Sequence, residues 1–196
     1  KKRPVMKKAT TKKATAKKAT AKKAAVKRTT KAPAKATAAT AQTLDARREA
    51  EGAVRALVAR FAAKHAKLID AARRTLRTRL PTAHEVVYEY RDFLVISVSP
   101  SERGYEGVFA LRADAAGVKL FLNQGATIPD PHKLLRGSGT QARALEVRTA
   151  ADLTRPEVVA LLEAAIARTP VPFARSGEGT IVIRPAGKKR AKGSAR

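Results

Sequence analysis

His84-Glu85-Val86-Val87-Tyr88-Glu89-Tyr90 and, after Arg91-Asp92, Phe93-Leu94-Val95-Ile96-Ser97-Val98 are the stretches whose reading decides the fold. Both are short runs of β-branched and aromatic residues with period-two character, and only two polar residues separate them. The same pattern returns at Val108–Leu111 and Val118–Leu122, with a polar turn over Ser99–Gly107 and another over Asp114–Gly117. Connections this short suit antiparallel hairpins, since a parallel crossover needs a dozen residues or more. A long loop, Asn123–Gln141, leads to a further strand over Ala142–Arg148, and Thr180–Ile183 reads as a last strand.

Helical periodicity frames these strands. Thr43-Leu44-Asp45 offers an N-cap with an acid in the first turn. Beyond Gly52, Val54, Leu57, Val58, Phe61, Leu68, Ile69, Ala72 and Leu76 trace one stripe that ends at Pro81. Arg55, Arg60, Lys64, Lys67, Arg73, Arg74, Arg77 and Arg79 lie off the stripe, which predicts a domain-covering helix with a phosphate-accessible outer face. His65 falls on the stripe and reads as a packed residue, not a ligand. Leu153–Arg168 gives a second amphipathic helix, with Asp152 or Thr154 as cap and Pro170 and Pro172 closing it. The expected fold is α+β: an antiparallel sheet of four to five strands packed by an N-terminal and a C-terminal helix, preceded by a disordered basic tail.

Residues 84–166 resemble the YdhG-like domain of unknown function, a small α+β family. The matching stretches are Glu85–Tyr90, Val118–Leu122, Gly137-Ser138-Gly139-Thr140 and, in the last helix, Glu157–Leu162. The resemblance implies the fold and little function. Some members are described as frataxin-like iron chaperones, a role that rests on clustered exposed carboxylates. This chain departs from that pattern, because its acids are scattered and Arg or Lys often lies nearby.

Charge divides the 196 residues into four parts. The chain has 42 Lys plus Arg and 16 Asp plus Glu, for a formal net charge of +26. Residues 1–42 hold 15 of the basic residues and no acid, residues 43–80 hold 10 basic and 4 acidic residues, residues 81–184 balance to zero, and residues 185–196 hold 5 basic residues and no acid. The expected organisation is a disordered tail over 1–42, a domain over 43–184 that includes its leading basic helix, and a basic disordered tail over 185–196. A five-residue unit, Lys-Lys-Ala-Thr-Ala/Thr, recurs from Lys7 and decays towards Lys31. It has nothing to bury and cannot repay the entropy of ordering. A five-residue step turns each Lys pair by about 500° around a helix, so no basic face would form even on ordering. What remains is a polycation able to neutralise phosphates in many geometries. Its composition resembles the tails of linker histones and bacterial histone-like proteins, which implies sequence-independent nucleic-acid binding through Lys7, Lys8, Lys12, Lys13, Lys17, Lys18, Lys22, Lys23, Lys27 and Arg28. The segment lacks aromatic residues for stacking on single strands, so duplex DNA is the expected partner. The expected location is cytoplasmic and nucleoid-associated.

The loop Asn123–Thr140 is the densest polar stretch of the domain, with two readings. Lys133 and Arg136, beside the amides of Gly137, Ser138, Gly139 and Thr140, could cradle a phosphate or carboxylate. Alternatively the loop is a connector, its path fixed by proline and its turns permitted by glycine. The first would make the domain a small anionic-ligand binder, or one of metal-chaperone type, with the tail serving localisation or solubility. Chemistry is otherwise sparse. There is no Cys, which excludes a disulfide framework, thiolate metal sites and a cysteine nucleophile. His65, His84 and His132 lack metal-ligand spacing, Arg136–Thr140 is not a nucleophile elbow, and Asp130 with His132 is a weak acid–base pair. No catalytic residue, metal ligand or cofactor is expected. No apolar run reaches the roughly 20 residues of a membrane helix.

Overall fold

The computed structural model describes residues 42–185. They form α1 (Leu44–Val58), α2 (Ala63–Arg79), β1 (His84–Glu89), β2 (Phe93–Ser99), β3 (Phe109–Asp114), β4 (Gly117–Leu122), β5 (Arg143–Val147), α3 (Pro156–Ala167) and β6 (Ile181–Pro185). The tail calls over 1–41 and 186–196 lie outside the described residues.

The α+β class and the hairpin order stand, and the sheet is larger than expected. It has six strands in the order β5-β4-β3-β2-β1-β6. Strands β1 to β5 form an antiparallel meander, but β6 pairs parallel to β1, with Glu85 opposite Ile181 and Val87 opposite Ile183. The sheet is therefore mixed. Short connections dictate antiparallel pairing only between consecutive strands; β6 returns after α3, a connection long enough for either direction.

Alternation sorts the sheet into two faces. Val87, Ile96, Leu111 and Leu120 lie cross-strand from one another in the registers and are fully buried, together with Val54 and Val58 of α1, Ile69 and Leu76 of α2, and Leu161 and Leu162 of α3. All three helices thus share one core on one face. On the opposite face, Phe93, Val95, Phe121 and Val182 are half-buried.

The expected single N-terminal helix is two helices. Thr43 does cap α1, its hydroxyl accepting from the Ala46 N–H at 3.3 Å. The helix then ends at Val58, and α2 starts at Ala63 after an N-cap, Ala62, without a side-chain cap. The stripe carries a gap at this place, since none of the six residues from Ala62 to Lys67 between Phe61 and Leu68 is a large apolar one. A turn there lets Val54 and Ile69 both face the sheet, while Leu57 and Phe61 stay half-buried. The C-terminal helix is also shorter than expected. Asp152 caps the preceding 3-10 turn Ala150–Thr154, accepting from the Arg148 and Thr149 N–H groups at 2.9 Å, and α3 opens on Pro156. Proline suits that first position because its missing N–H would be unpaired anyway.

The outer edge of β6 is not bare. The Gln42 side chain accepts from the Ile181 N–H at 3.0 Å and donates to its carbonyl at 3.3 Å, taking the place of a strand neighbour. Gly179, just before β6, runs so close to β1 that a Cβ there would lie 1.7 Å from the Ala83 carbonyl oxygen.

Candidate ligand cavity and the charged residues

At the end of the sheet where β2 leaves and β3 enters, four segments enclose a cavity of about 350 Å³. The 3-10 turn Gly104–Glu106 supplies Tyr105 and Glu106, and the end of β4 supplies Asn123 and Gln124. Thr140 and Gln141 come from the far end of the long loop, and Ala165 and Thr169 from the end of α3. Backbone bonds hold these walls together: the Asn123 N–H donates to Val108 O at 3.0 Å and the Ala126 N–H to Gln141 O at 2.9 Å. The Asn123 amide also donates to the Gly107 carbonyl, which leaves its Oδ1 available.

Among the described residues, no Lys, Arg or His lines this cavity. Its one carboxylate, Glu106, accepts from the Ser101 hydroxyl at 2.5 Å and from Arg103 at 3.5 Å. Among the described residues the Gln124, Thr140 and Gln141 side chains carry no intramolecular hydrogen bond. Tyr105 is 78% exposed at the rim. The lining is thus polar and aromatic without net cationic character.

The structure does not bring the expected anion-site residues of the loop Asn123–Thr140 together. Lys133 is exposed with φ 52°, and its N–H donates to Asp130 O at 3.1 Å. Asp130 accepts from the Leu134 and Leu135 N–H groups at 3.0 and 2.8 Å, so its carboxylate fixes the turn and does not pair with the exposed His132. Arg136 exchanges both backbone hydrogen bonds with Ala144, at 2.7 and 2.8 Å, which extends the sheet edge by one bridge. Its side chain lines a separate cavity of about 530 Å³ beside Glu146, Arg148, Asp152 and Arg155. Thr140 lines the neutral cavity instead. Gly137, with φ 111°, takes a turn geometry that side chains disfavour, and Ser138 and Gly139 are exposed. Arg136 and Thr140 therefore face different cavities. Charge drew attention to Lys133 and Arg136; the uncharged Gln124 and Gln141 gave no such signal.

The cations of α1 and α2 divide in the same way. Arg73 contacts Glu85 at 2.5 Å and Glu51 at 3.3 Å; Arg77 contacts Glu51 at 2.7 Å and Glu85 at 2.8 Å. The Arg73 and Glu85 side chains are 8% and 7% exposed. This network ties both helices to β1. Burial opposes ionisation of Glu51, but the Arg73 and Arg77 charges outweigh it and hold the carboxyl below its ordinary value. Arg60 pairs with Glu89 at 2.5 Å and Arg79 with Glu163 at 3.4 Å. The basic outer face expected of this region is thus reduced to Arg55, Lys64, Lys67 and Arg74, which are exposed without a carboxylate partner among the described residues. His65 is half-buried and lines two shallow cavities, one beside Lys64, Lys119 and Arg148 and one beside Arg60 and Arg91.

Among the described residues, no group of three or more His, Asp and Glu could hold a metal ion, and no helix is long and apolar enough to cross a membrane. The tail cations Lys7 to Arg28 lie outside the described residues. In comparisons with known proteins, the chain matches no family model, no curated protein and no solved structure.

Proposed function

We propose that this is a non-enzymatic, sequence-independent nucleic-acid-associated protein, in which the polycationic N-terminal segment tethers a YdhG-like domain to the phosphate backbone. The observation that carries this reading is the segregation of charge. Residues 1–42 hold 15 Lys or Arg and no acid, while every one of the 16 acids lies between residues 43 and 184. Within the domain, Arg47, Arg60, Arg73, Arg77 and Arg79 already have carboxylate partners. Cations without local anions displace condensed counterions from a duplex, and that release drives association in a salt-dependent, sequence-blind manner.

The full chain should therefore bind random-sequence duplexes with one affinity. If about ten of its cations meet phosphates, log K falls against log salt with a slope of roughly −9. Fluorescence anisotropy on two unrelated duplexes across a salt series measures both quantities. A strong preference for one sequence, or an affinity indifferent to salt, contradicts the proposal.

A further inference from the structure

We infer that the neutral cavity beside Tyr105 is a binding site for a nucleobase. This rests on the nucleic-acid reading for its biological sense, but its physical basis is the cavity itself. Its volume of about 350 Å³ is in the range of small-molecule sites. Asn123, Gln124 and Gln141 bring three carboxamides to its wall. The Gln124 and Gln141 carboxamides each present a donor and an acceptor side by side, the pattern that matches the adjacent donor and acceptor on a base edge. Asn123, whose amide donates to the Gly107 carbonyl, adds its Oδ1. Tyr105 stands at the rim with most of its surface free, and an unstacked base finds its stacking surface on such a ring.

The charge of the lining selects against other ligands. A phosphate or carboxylate would enter a cavity whose described lining includes no Lys, Arg or His and does include Glu106. Its charge would be desolvated with no lining cation to receive it, the Arg103 guanidinium being already paired with Glu106 at 3.5 Å. A base is uncharged, and its exocyclic amine can donate to Glu106 or to Asn123 Oδ1. The sugar and phosphate of a nucleotide would remain outside. The walls are preformed, since the bonds from Asn123 to Val108 and from Ala126 to Gln141 already join β4 and the long loop to their neighbours. Little ordering remains for the ligand to impose.

Titration of the full chain with adenosine, guanosine, cytidine and uridine, followed by calorimetry, tests this. At about 0.5 M salt the Debye length is only about 4 Å, so the cationic tail contributes little. At least one nucleoside should bind saturably. Gln124→Ala with Gln141→Ala, and separately Tyr105→Ala, should each weaken it at least tenfold. These three side chains are exposed, so the variants keep the fold, as an unchanged thermal midpoint would verify. Ribose 5-phosphate and glucose should not compete. Competition by a single strand, but not by its abasic counterpart, identifies an extruded base; competition by nucleosides alone identifies a free one. No nucleoside binding, equal competition by glucose, or wild-type affinity in the variants would overturn the inference. Salt-dependent duplex binding that persists in any of those cases would leave the tethering proposal standing.

Discussion

Arg73 and Arg74 are consecutive on α2, and their surroundings differ completely. Arg73 is buried between Glu51 and Glu85 and joins three elements. Arg74 is exposed, like Arg55, Lys64 and Lys67, and has no carboxylate partner among the described residues. In the sequence all of these cations look alike. The difference teaches that the charge of this helical pair is partly architectural: helix phase decides which cations meet the acids of α1 and β1 and which remain free to meet a partner.

The largest effect separates these two neighbours. Arg73→Ala leaves Glu85 buried with one of its cations gone, and removing one partner from a buried pair costs about 3–5 kcal/mol. Arg74→Ala should change stability by no more than about 0.5 kcal/mol. Urea unfolding of both variants measures the contrast; equal losses would break it.

The core gives the next contrast. Ile69 is fully buried, so Ile69→Ala should cost about 2–5 kcal/mol. Leu57→Ala, at a half-buried position of the same stripe, should cost distinctly less. The sequence puts Val54, Leu57, Phe61 and Ile69 on one stripe alike; the turn between α1 and α2 buries Val54 and Ile69 fully and leaves Leu57 and Phe61 half-buried.

A smaller effect belongs to the junction of β1 and β6. The Thr180 N–H donates to His84 Nδ1 at 3.2 Å, and the Thr180 hydroxyl lies 2.8 Å from the same nitrogen and 3.0 Å from Glu102. Burial pushes the His84 imidazole below its ordinary value, against the opposing pull of Glu102. The unfolded chain then takes up the proton more readily than the folded one. The stabilisation from neutral His84 is complete above the unfolded value of about 6.5 and is lost as pH falls through the lower folded value. His84→Gln should flatten stability over that acidic window. An unaltered pH profile would show that the imidazole does not control this junction.

Much of the sheet was legible in the sequence because period-two runs with two-residue or few-residue connections admit essentially one pairing. The first four strands follow from that rule within about three residues at either end, whereas β5 comes after the long loop and its pairing with β4 does not. The direction of β6 was not legible, since its pairing with β1 depends on where α3 delivers the chain. The break after Val58 was faintly visible in the gap between Phe61 and Leu68, with no proline or glycine to mark it. At the cavity, the loop Asn123–Gln141 stood out by composition. Its cavity-lining residues did not: Gln124 and Gln141 carry no charge, and only tertiary folding brings them to Tyr105 and Thr169.

The central claim is that the nucleic-acid affinity resides in residues 1–41 and not in the folded domain. Residues 42–185 contain the whole described core, so a chain beginning at Gln42 retains it. The direct measurement is duplex binding by the full chain and by that shortened chain across one salt series. The account predicts a slope of roughly −9 for the full chain. For the shortened chain it predicts a much shallower slope and an affinity lower by orders of magnitude at low salt. Equal slopes and equal affinities would contradict it and place the phosphate contacts on the domain.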